Sequence, residues 1–274
     1  MPETDQVFAN SSEIANSIEG MLSKLAALDA LLAFRAERGI RGDMVELGVF
    51  RGKSAAVLAS RLSPAETLHL LDIADYFDRP ALGRTGAKLS FNIASTLSLS
   101  KRRFPKRAIR FCHIDASHMF EPTLHEMALA DFMLSPDRIL CLDDYTNLNY
   151  SQILAATFKY LFTRRTDLAI FLVTNEKAYL CRRRQFALYA DFVLRSMLAQ
   201  MKDRGLGNLC IARTDDTPSY GAFYLRPKLA SETDDFYGTE IYGQFYRIDD
   251  HSDSGLKASA GRAARKIIAP LRRA

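Results

Sequence analysis

The chain has 274 residues, 48% hydrophobic and 25% charged, which excludes wholesale disorder and gives enough length to bury a core without disulfides. Its net charge of +5 comes from the end of the chain: residues 255–274 hold six basic residues and no acid, leaving 1–254 at −1. A near-neutral body argues against a nucleic-acid partner, which wants a basic face on the domain itself.

In chain order, Asn10 and Glu13 have capping-box spacing, and Met21, Leu25, Leu28 and Leu32 recur at helical period until Gly39. One amphipathic helix is therefore predicted over 11–38, as a lid or a dimer face. A short apolar run at 44–50 is followed by a helix at 53–62 and a strand at 67–73. Residues 74–88, with Pro80, Gly83 and Gly86, read as a loop, and Tyr76 and Phe77 make it a lid candidate. A short strand is expected near 89–95, then strands at 108–114 and 138–144 with a helix at 120–134 between them. A helix at 150–163 precedes a hairpin of strands 168–174 and 178–183 across Asn175, Glu176 and Lys177, and a helix follows at 185–203. Beyond 204 one strand is expected at 221–227.

Strands alternating with helices predict an α/β fold: a doubly wound, Rossmann-like, mostly parallel sheet with helices on both faces and an antiparallel edge hairpin. The chain divides into an N-terminal helical segment (1–40), a central domain (41–204), an aromatic-rich extension (205–254) and a basic tail (255–274). The extension, with Tyr220, Phe223, Tyr224, Phe236, Tyr237, Tyr242, Phe245 and Tyr246, is expected to pack on the core. The clusters Lys101–Arg107 and Arg182–Arg184 read as solvated turns. Cys112, Cys141, Cys181 and Cys210 form no C-x-x-C pair, so they read as buried, reduced thiols rather than a zinc site. Reduced thiols suit a cytoplasmic location. The start MPETDQ has no signal-peptide character, and no apolar run approaches the roughly 18 residues of a transmembrane helix.

The most informative stretch is Val45-Glu46-Leu47-Gly48-Val49-Phe50-Arg51-Gly52, between a strand and a helix. Gly48 at a strand end lets a ligand approach the backbone, and Gly52 allows the turn into the helix. Open α/β sheets bind ligands at the carboxyl ends of their strands. Phe50 stands where a dinucleotide site needs its second glycine, which argues against a nicotinamide-dependent oxidoreductase. Asp72, ending the next strand, can accept ribose hydroxyls, so the ligand reads as a nucleoside without a pyrophosphate.

With these residues the chain resembles the class I S-adenosylmethionine-dependent methyltransferases. The resemblance implies that Glu46, Gly48 and Gly52 line the methionine end of the donor and that Asp72 holds its ribose.

A second constellation, His113-Ile114-Asp115-Ala116-Ser117-His118 and Leu140-Cys141-Leu142-Asp143-Asp144-Tyr145, follows two further strand-like runs. If those strands are neighbours, Asp115, Asp143 and Asp144 converge on the rim that holds Gly48. Three such carboxylates repel, and oxygen ligands suit magnesium or another divalent cation. The pattern is similar to the metal-dependent macrocin O-methyltransferase-like group and its cephalosporin-hydroxylase-like relatives. The resemblance assigns Asp115, Asp143 and Asp144 to the metal, and Asp115 and His118 to catalysis. The chain departs from it at Ala116-Ser117, where relatives have Gly-Asp, and at Pro136-Asp137, where they favour Gly-Gly and which reads here as turn chemistry.

The expected activity is methyl transfer from S-adenosylmethionine to a hydroxyl of a small molecule such as a sugar, and the 11–38 helix could serve as the face of a homodimer. A methyltransferase-like scaffold without activity is the alternative, against which the retained glycines and carboxylates count. His113, within a strand, reads as structural.

Overall fold

The computed structural model describes residues 24–76, 87–100, 109–164, 166–214, 221–229 and 231–238. The capping box, Phe77, the 101–107 cluster, the tail, and Tyr220, Tyr242, Phe245 and Tyr246 lie outside them.

One ten-stranded sheet organises the described residues. Helix α1 (24–37) leads into β1 (Met44–Leu47), α2 (Lys53–Ser60), β2 (Thr67–Asp72) and β3 (Lys88–Ile93). There follow β4 (Ile109–Ile114), α3 (Phe120–Met133), β5 (Leu134–Leu142), α4 (Ser151–Thr163), β6 (Leu168–Val173) and β7 (Ala178–Arg182). Helices α5 (Phe186–Phe192) and α6 (Leu198–Asp203) are joined by a π turn over Val193–Met197, and β8 (Leu209–Arg213), β9 (Phe223–Pro227) and β10 (Phe236–Gly238) complete the order.

The strands lie in the order β10-β8-β9-β6-β7-β5-β4-β1-β2-β3. β3, β2, β1, β4 and β5 are mutually parallel, and the chain reverses direction of winding between β1 and β4. The expected hairpin is present as antiparallel β6 and β7. β7 also pairs antiparallel with β5, and the sheet continues past β6 through β9, β8 and β10. β8 and β10 were not expected from the sequence, and β10, at three residues, is shorter than the roughly 4–8 residues that give a strand signal.

The buried strands carry apolar residues on both faces. Met44 and Phe111 belong to one core with α1, α2 and α5, whereas Val45 and Cys112 belong to the other with α3 and α4. All four cysteines are buried and free. Pro136 and Asp137 are not in a turn but inside β5, beside a register shift between Ile109 and Phe111 of β4. An irregular pairing tolerates a proline because no ladder N–H is required of it.

Helix α1 is a core helix over its described length. Ala27, Leu28, Leu31 and Leu32 are fully buried, and Phe34 stacks on Phe192 of α5 at 4.2 Å. Asp29 fixes its position: one oxygen accepts from Arg61 Nε at 2.5 Å, and the other accepts from Arg61 Nη2 at 2.7 Å and Arg204 Nε at 2.9 Å. Arg182, expected in a solvated turn, is instead a half-buried tie between Asp131 and Asp167.

Burial opposes the charge on Asp29, but its two arginines outweigh it and hold the carboxyl pKa below the usual range. A carboxyl with a lowered folded pKa contributes stability above its unfolded pKa of about 3.9 and loses it as pH falls through the folded value. Melting temperature measured from pH 6 to pH 2 is therefore expected to fall less steeply in Asp29→Asn than in the wild type. Parallel curves would remove Asp29 from the acid-sensitive set. Leu31→Ala should cost roughly 2–5 kcal/mol by denaturant unfolding.

Candidate functional site

Sheet register builds the site. Leu71, Leu47, Ile114 and Leu142 are aligned across β2, β1, β4 and β5. The next residue of each strand, Asp72, Gly48, Asp115 and Asp143, therefore forms a row along the carboxyl edge. Ladder bonds continue into that row: Gly48 N–H donates to Leu71 O (2.8 Å), Asp115 N–H to Leu47 O (2.7 Å) and Asp143 N–H to Ile114 O (2.9 Å). The row spans three inter-strand spacings of roughly 4.8 Å, about 14 Å in all. It straddles β1 and β4, the switch point where open α/β sheets place ligands.

Gly48 is required there for a reason other than ligand approach. Its φ is +83°, and a Cβ would lie 1.9 Å from the carbonyl oxygen of Asp115. The glycine thus lets the loop after β4 close against the loop after β1. Gly52, at φ 80°, caps α2 and closes the turn to Val49 O, as its place in the sequence suggests.

Asp72 is engaged by the same loop. Its Oδ2 accepts from the N–H groups of Val49 and Phe50, both at 2.8 Å, and its Oδ1 from Ile73 N–H at 2.7 Å. A carboxylate has about four acceptor positions, so roughly one is left for a further donor. Phe50, itself at φ 46°, lies 5.9 Å from Tyr76 on the exposed rim.

Of the expected cation ligands, Asp115 and Asp144 converge and Asp143 does not join them. Its place is taken by His118: the ligand atoms of Asp115, His118 and Asp144 lie within 4.8 Å of one another. His118 Nε2 is 3.2 Å from Asp115 Oδ1 and 3.0 Å from Asp144 Oδ2, and its ring stacks on Tyr150 at 4.4 Å. His118 and Asp144 both hold left-handed backbone, φ 55° and 51°. Non-glycine residues in that region cost of order 1–3 kcal/mol and concentrate at ligand-binding sites.

Hydrogen bonds to Asp115 and Asp144 raise the His118 pKa to about 10, so the imidazole is charged while the two carboxylates face it alone. Burial raises the pKa of Asp115, only partly offset by His118. Burial also works on Asp144, but His118 and Asn147 prevail and lower it.

Asp143 is diverted by a buried lysine. Lys177 Nζ donates to its Oδ2 at 2.5 Å. Burial disfavours both charges, yet the pair is net stabilising for each: the Asp143 pKa falls well below the carboxylate range and that of Lys177 rises. Lys177 Nζ is also 2.8 Å from His113 Nε2, and His113 Nδ1 is 2.8 Å from Glu46 Oε1. Burial and the neighbouring ammonium oppose a charge on His113, but Cys141 and Glu46 outweigh them and raise its pKa to about 10. The contact with Lys177 opposes that tendency: two N–H groups cannot face each other at 2.8 Å, and Lys177 keeps its charge through Asp143, so His113 is the neutral tautomer with its proton on Nδ1, toward Glu46. His113 is thus a linker rather than inert strand packing.

Lys177 was not visible in the sequence, where it is only the last residue of a hairpin turn. It reaches the row because β7 runs antiparallel, so its start, not its end, lies at the carboxyl edge beside Leu142. Lys24, at the start of the described part of α1, pairs with Glu176 on that turn, and burial lowers its pKa.

Comparison with known proteins bears on the same segment. A family model described as a methyltransferase domain matches residues 45–145, from β1 to just past Asp144. Over that segment the chain is similar to a methyltransferase domain. The matched residues include Glu46, Gly48, Gly52 and Asp72, which carry the class I resemblance, and Asp115, His118, Asp143 and Asp144, which carry the metal-dependent one. No curated protein matches the chain. Among solved structures, an O-methyltransferase of tomaymycin synthesis from Streptomyces achromogenes is 15% identical at TM-score 0.45, over 57% of this chain and 79% of its own. A TDP-rhamnose 3′-O-methyltransferase of calicheamicin biosynthesis is 14% identical at TM-score 0.45, over 66% and 87%. An O-methyltransferase from Bacillus cereus is 12% identical at TM-score 0.43, over 66% and 93%.

The close loop packing at Gly48 is directly testable. Gly48→Ala should cost the roughly 1–2 kcal/mol of left-handed backbone plus the clash with Asp115. Gly39→Ala, at φ +70° with nothing within 4 Å of the added carbon, should cost the backbone part alone. Equal losses at the two positions, by denaturant unfolding, would contradict the packing.

Proposed function

We propose that the chain transfers the methyl group of S-adenosylmethionine to a hydroxyl of a small acceptor, such as a sugar, held at the Asp115, His118 and Asp144 cluster. One observation carries the reading: the glycine loop of the methyltransferase domain and that cluster meet at the backbone contact of Gly48 with Asp115. Donor and acceptor sites so joined turn a two-substrate reaction into one of alignment, which supplies up to about 7–11 kcal/mol of the barrier.

In this reading the donor's nucleoside lies by Asp72 and its amino-acid end by Glu46, Gly48 and Gly52. Glu46 fits the second role. It is fully buried, Ser54 and His113 occupy its Oε1, and Oε2 has no hydrogen-bond partner among the described residues. A buried anionic oxygen left alone is costly, and a bound ammonium satisfies it. Asp72, with one acceptor position left, takes one ribose hydroxyl while it holds the loop.

Asp115, His118 and Asp144 also suit a divalent cation such as magnesium: two carboxylates and an imidazole, all able to present a lone pair once His118 is neutral. When bound, the cation supplies a Lewis acid that lowers the pKa of the acceptor hydroxyl. Asp115, or His118 once it has given up its own proton, is placed to accept the hydroxyl proton. The acceptor oxygen then bonds to the methyl carbon as the sulfur–carbon bond breaks, and the sulfonium charge is lost. Tyr150 holds the His118 ring from one face. The reading includes a cytoplasmic location, supported by four buried free thiols; no described helix is long and apolar enough to cross a membrane.

The first test is a thermal-shift titration with S-adenosylhomocysteine, with NADH as control. Saturation at about 100-fold above the dissociation constant adds about 2.7 kcal/mol, a rise of roughly 5 °C or more. A rise with NADH instead would overturn the donor assignment. For the cation, Asp144→Asn should weaken Mn²⁺ binding at least tenfold, read from the free-ion paramagnetic resonance signal. Binding unchanged by that substitution would remove the metal from the reading.

A further inference from the structure

Glu46, His113, Lys177 and Asp143 form a continuous buried chain that the proposed reaction does not itself require. It runs from the floor of the glycine loop to the carboxyl rim: Glu46 Oε1 to His113 Nδ1 at 2.8 Å, His113 Nε2 to Lys177 Nζ at 2.8 Å, Lys177 Nζ to Asp143 Oδ2 at 2.5 Å. Glu46, His113 and Lys177 are all at least 98% buried. Burying a lysine this deeply costs several kcal/mol before its partners repay it. Among the described residues Asp143 is the carboxylate hydrogen-bonded to Lys177, so the second contact of the ammonium, with a neutral imidazole nitrogen, calls for a separate explanation.

Resting on the donor reading above, we propose that Lys177 is a positioning residue for the methyl donor: its ammonium donates to His113 Nε2 and thereby fixes the Nδ1–H tautomer that holds Glu46 Oε1, leaving Oε2 as the anionic oxygen for the donor's ammonium group. The opposite tautomer would set the Nδ1 lone pair of His113 against the Glu46 carboxylate, and the carboxylate would turn. Directly paired on β1 and β4, Glu46 and His113 have fixed backbones, so the proton on the ring is the variable that selects the carboxylate's orientation. Ser54, the other donor to Oε1, rides on α2 and holds the same oxygen. Lys177 thus sets, from the hairpin, which oxygen of a β1 side chain meets the ligand.

The test compares two ligands that share a thioadenosine and differ in the amino-acid end: S-adenosylhomocysteine, which has it, and 5′-methylthioadenosine, which lacks it. Dissociation constants are measured by calorimetry on the full chain, on Lys177→Met, and on Lys177→Met with Asp143→Asn, which removes both buried charges together and protects the fold. The expected result is at least a tenfold loss for S-adenosylhomocysteine and less than a twofold change for 5′-methylthioadenosine in either variant, with the double variant melting above the single one. Equal losses for the two ligands, or no loss for S-adenosylhomocysteine in the double variant, would overturn the role of Lys177. Failure of the wild-type chain to bind either ligand would overturn the donor reading and this proposal with it.

Discussion

Four carboxylates, Glu46, Asp115, Asp143 and Asp144, are brought to one edge of the sheet, and their mutual repulsion has to be answered within a few ångströms. Lys177 and His118 answer it in different ways. Lys177 is buried and permanently paired with Asp143. His118 is partly exposed, charged only while it faces Asp115 and Asp144, and able to give up its proton when another cation arrives. The division leaves Asp143 as structure and sets Asp115 and Asp144 aside as the ligands of the proposed cation. Removing one partner of such a buried pair costs about 3–5 kcal/mol, which makes the Lys177 contact a fixed part of the fold.

The same edge joins the two halves of the proposed reaction. Adjacent strands in register deliver Asp72, Gly48, Asp115 and Asp143 in a row, and the bare Cα of Gly48 lets the β4 loop rest on the β1 loop. Asp72 then locks the glycine loop through Val49 and Phe50. Strain at Phe50, His118 and Asp144 marks the places where the chain bends sharply to keep polar groups on the rim. The cost is met by the core below, in which α1, α2 and α5 cover one face of the sheet and α3 and α4 the other.

The hairpin has a role beyond closing the sheet. A parallel strand in the position of β7 would end at the rim and begin on the far side, and no residue preceding it could reach Asp143. Because β7 is antiparallel, the turn at 174–177 sits on the rim, where Lys177 meets Asp143 and Glu176 meets Lys24 of α1. The N-terminal helix, the hairpin and the carboxylates are thereby coupled electrostatically, although they are up to 153 residues apart in sequence.

Much was legible in the chain before any contact was known. Alternating apolar strands and amphipathic helices set the α/β class, because burial demands those periods. Glu46, Gly48, Gly52 and Asp72 stood out because strand ends and turns restrict which residues fit, and Asp115, Asp143 and Asp144 because carboxylates at strand ends are dear unless used. Strand neighbours, and with them the side-chain partners, were decided only by the tertiary structure. The sequence holds Asp143 and Asp144 side by side, yet one turns to Lys177 and the other to His118. It shows a glycine at 48 but not that Asp115 presses on it, and a lysine in a turn but not that an antiparallel strand carries it to the rim. Local pattern reports what each residue can bury or accept; which charge meets which is fixed by register between strands far apart in the chain, and no single segment encodes that.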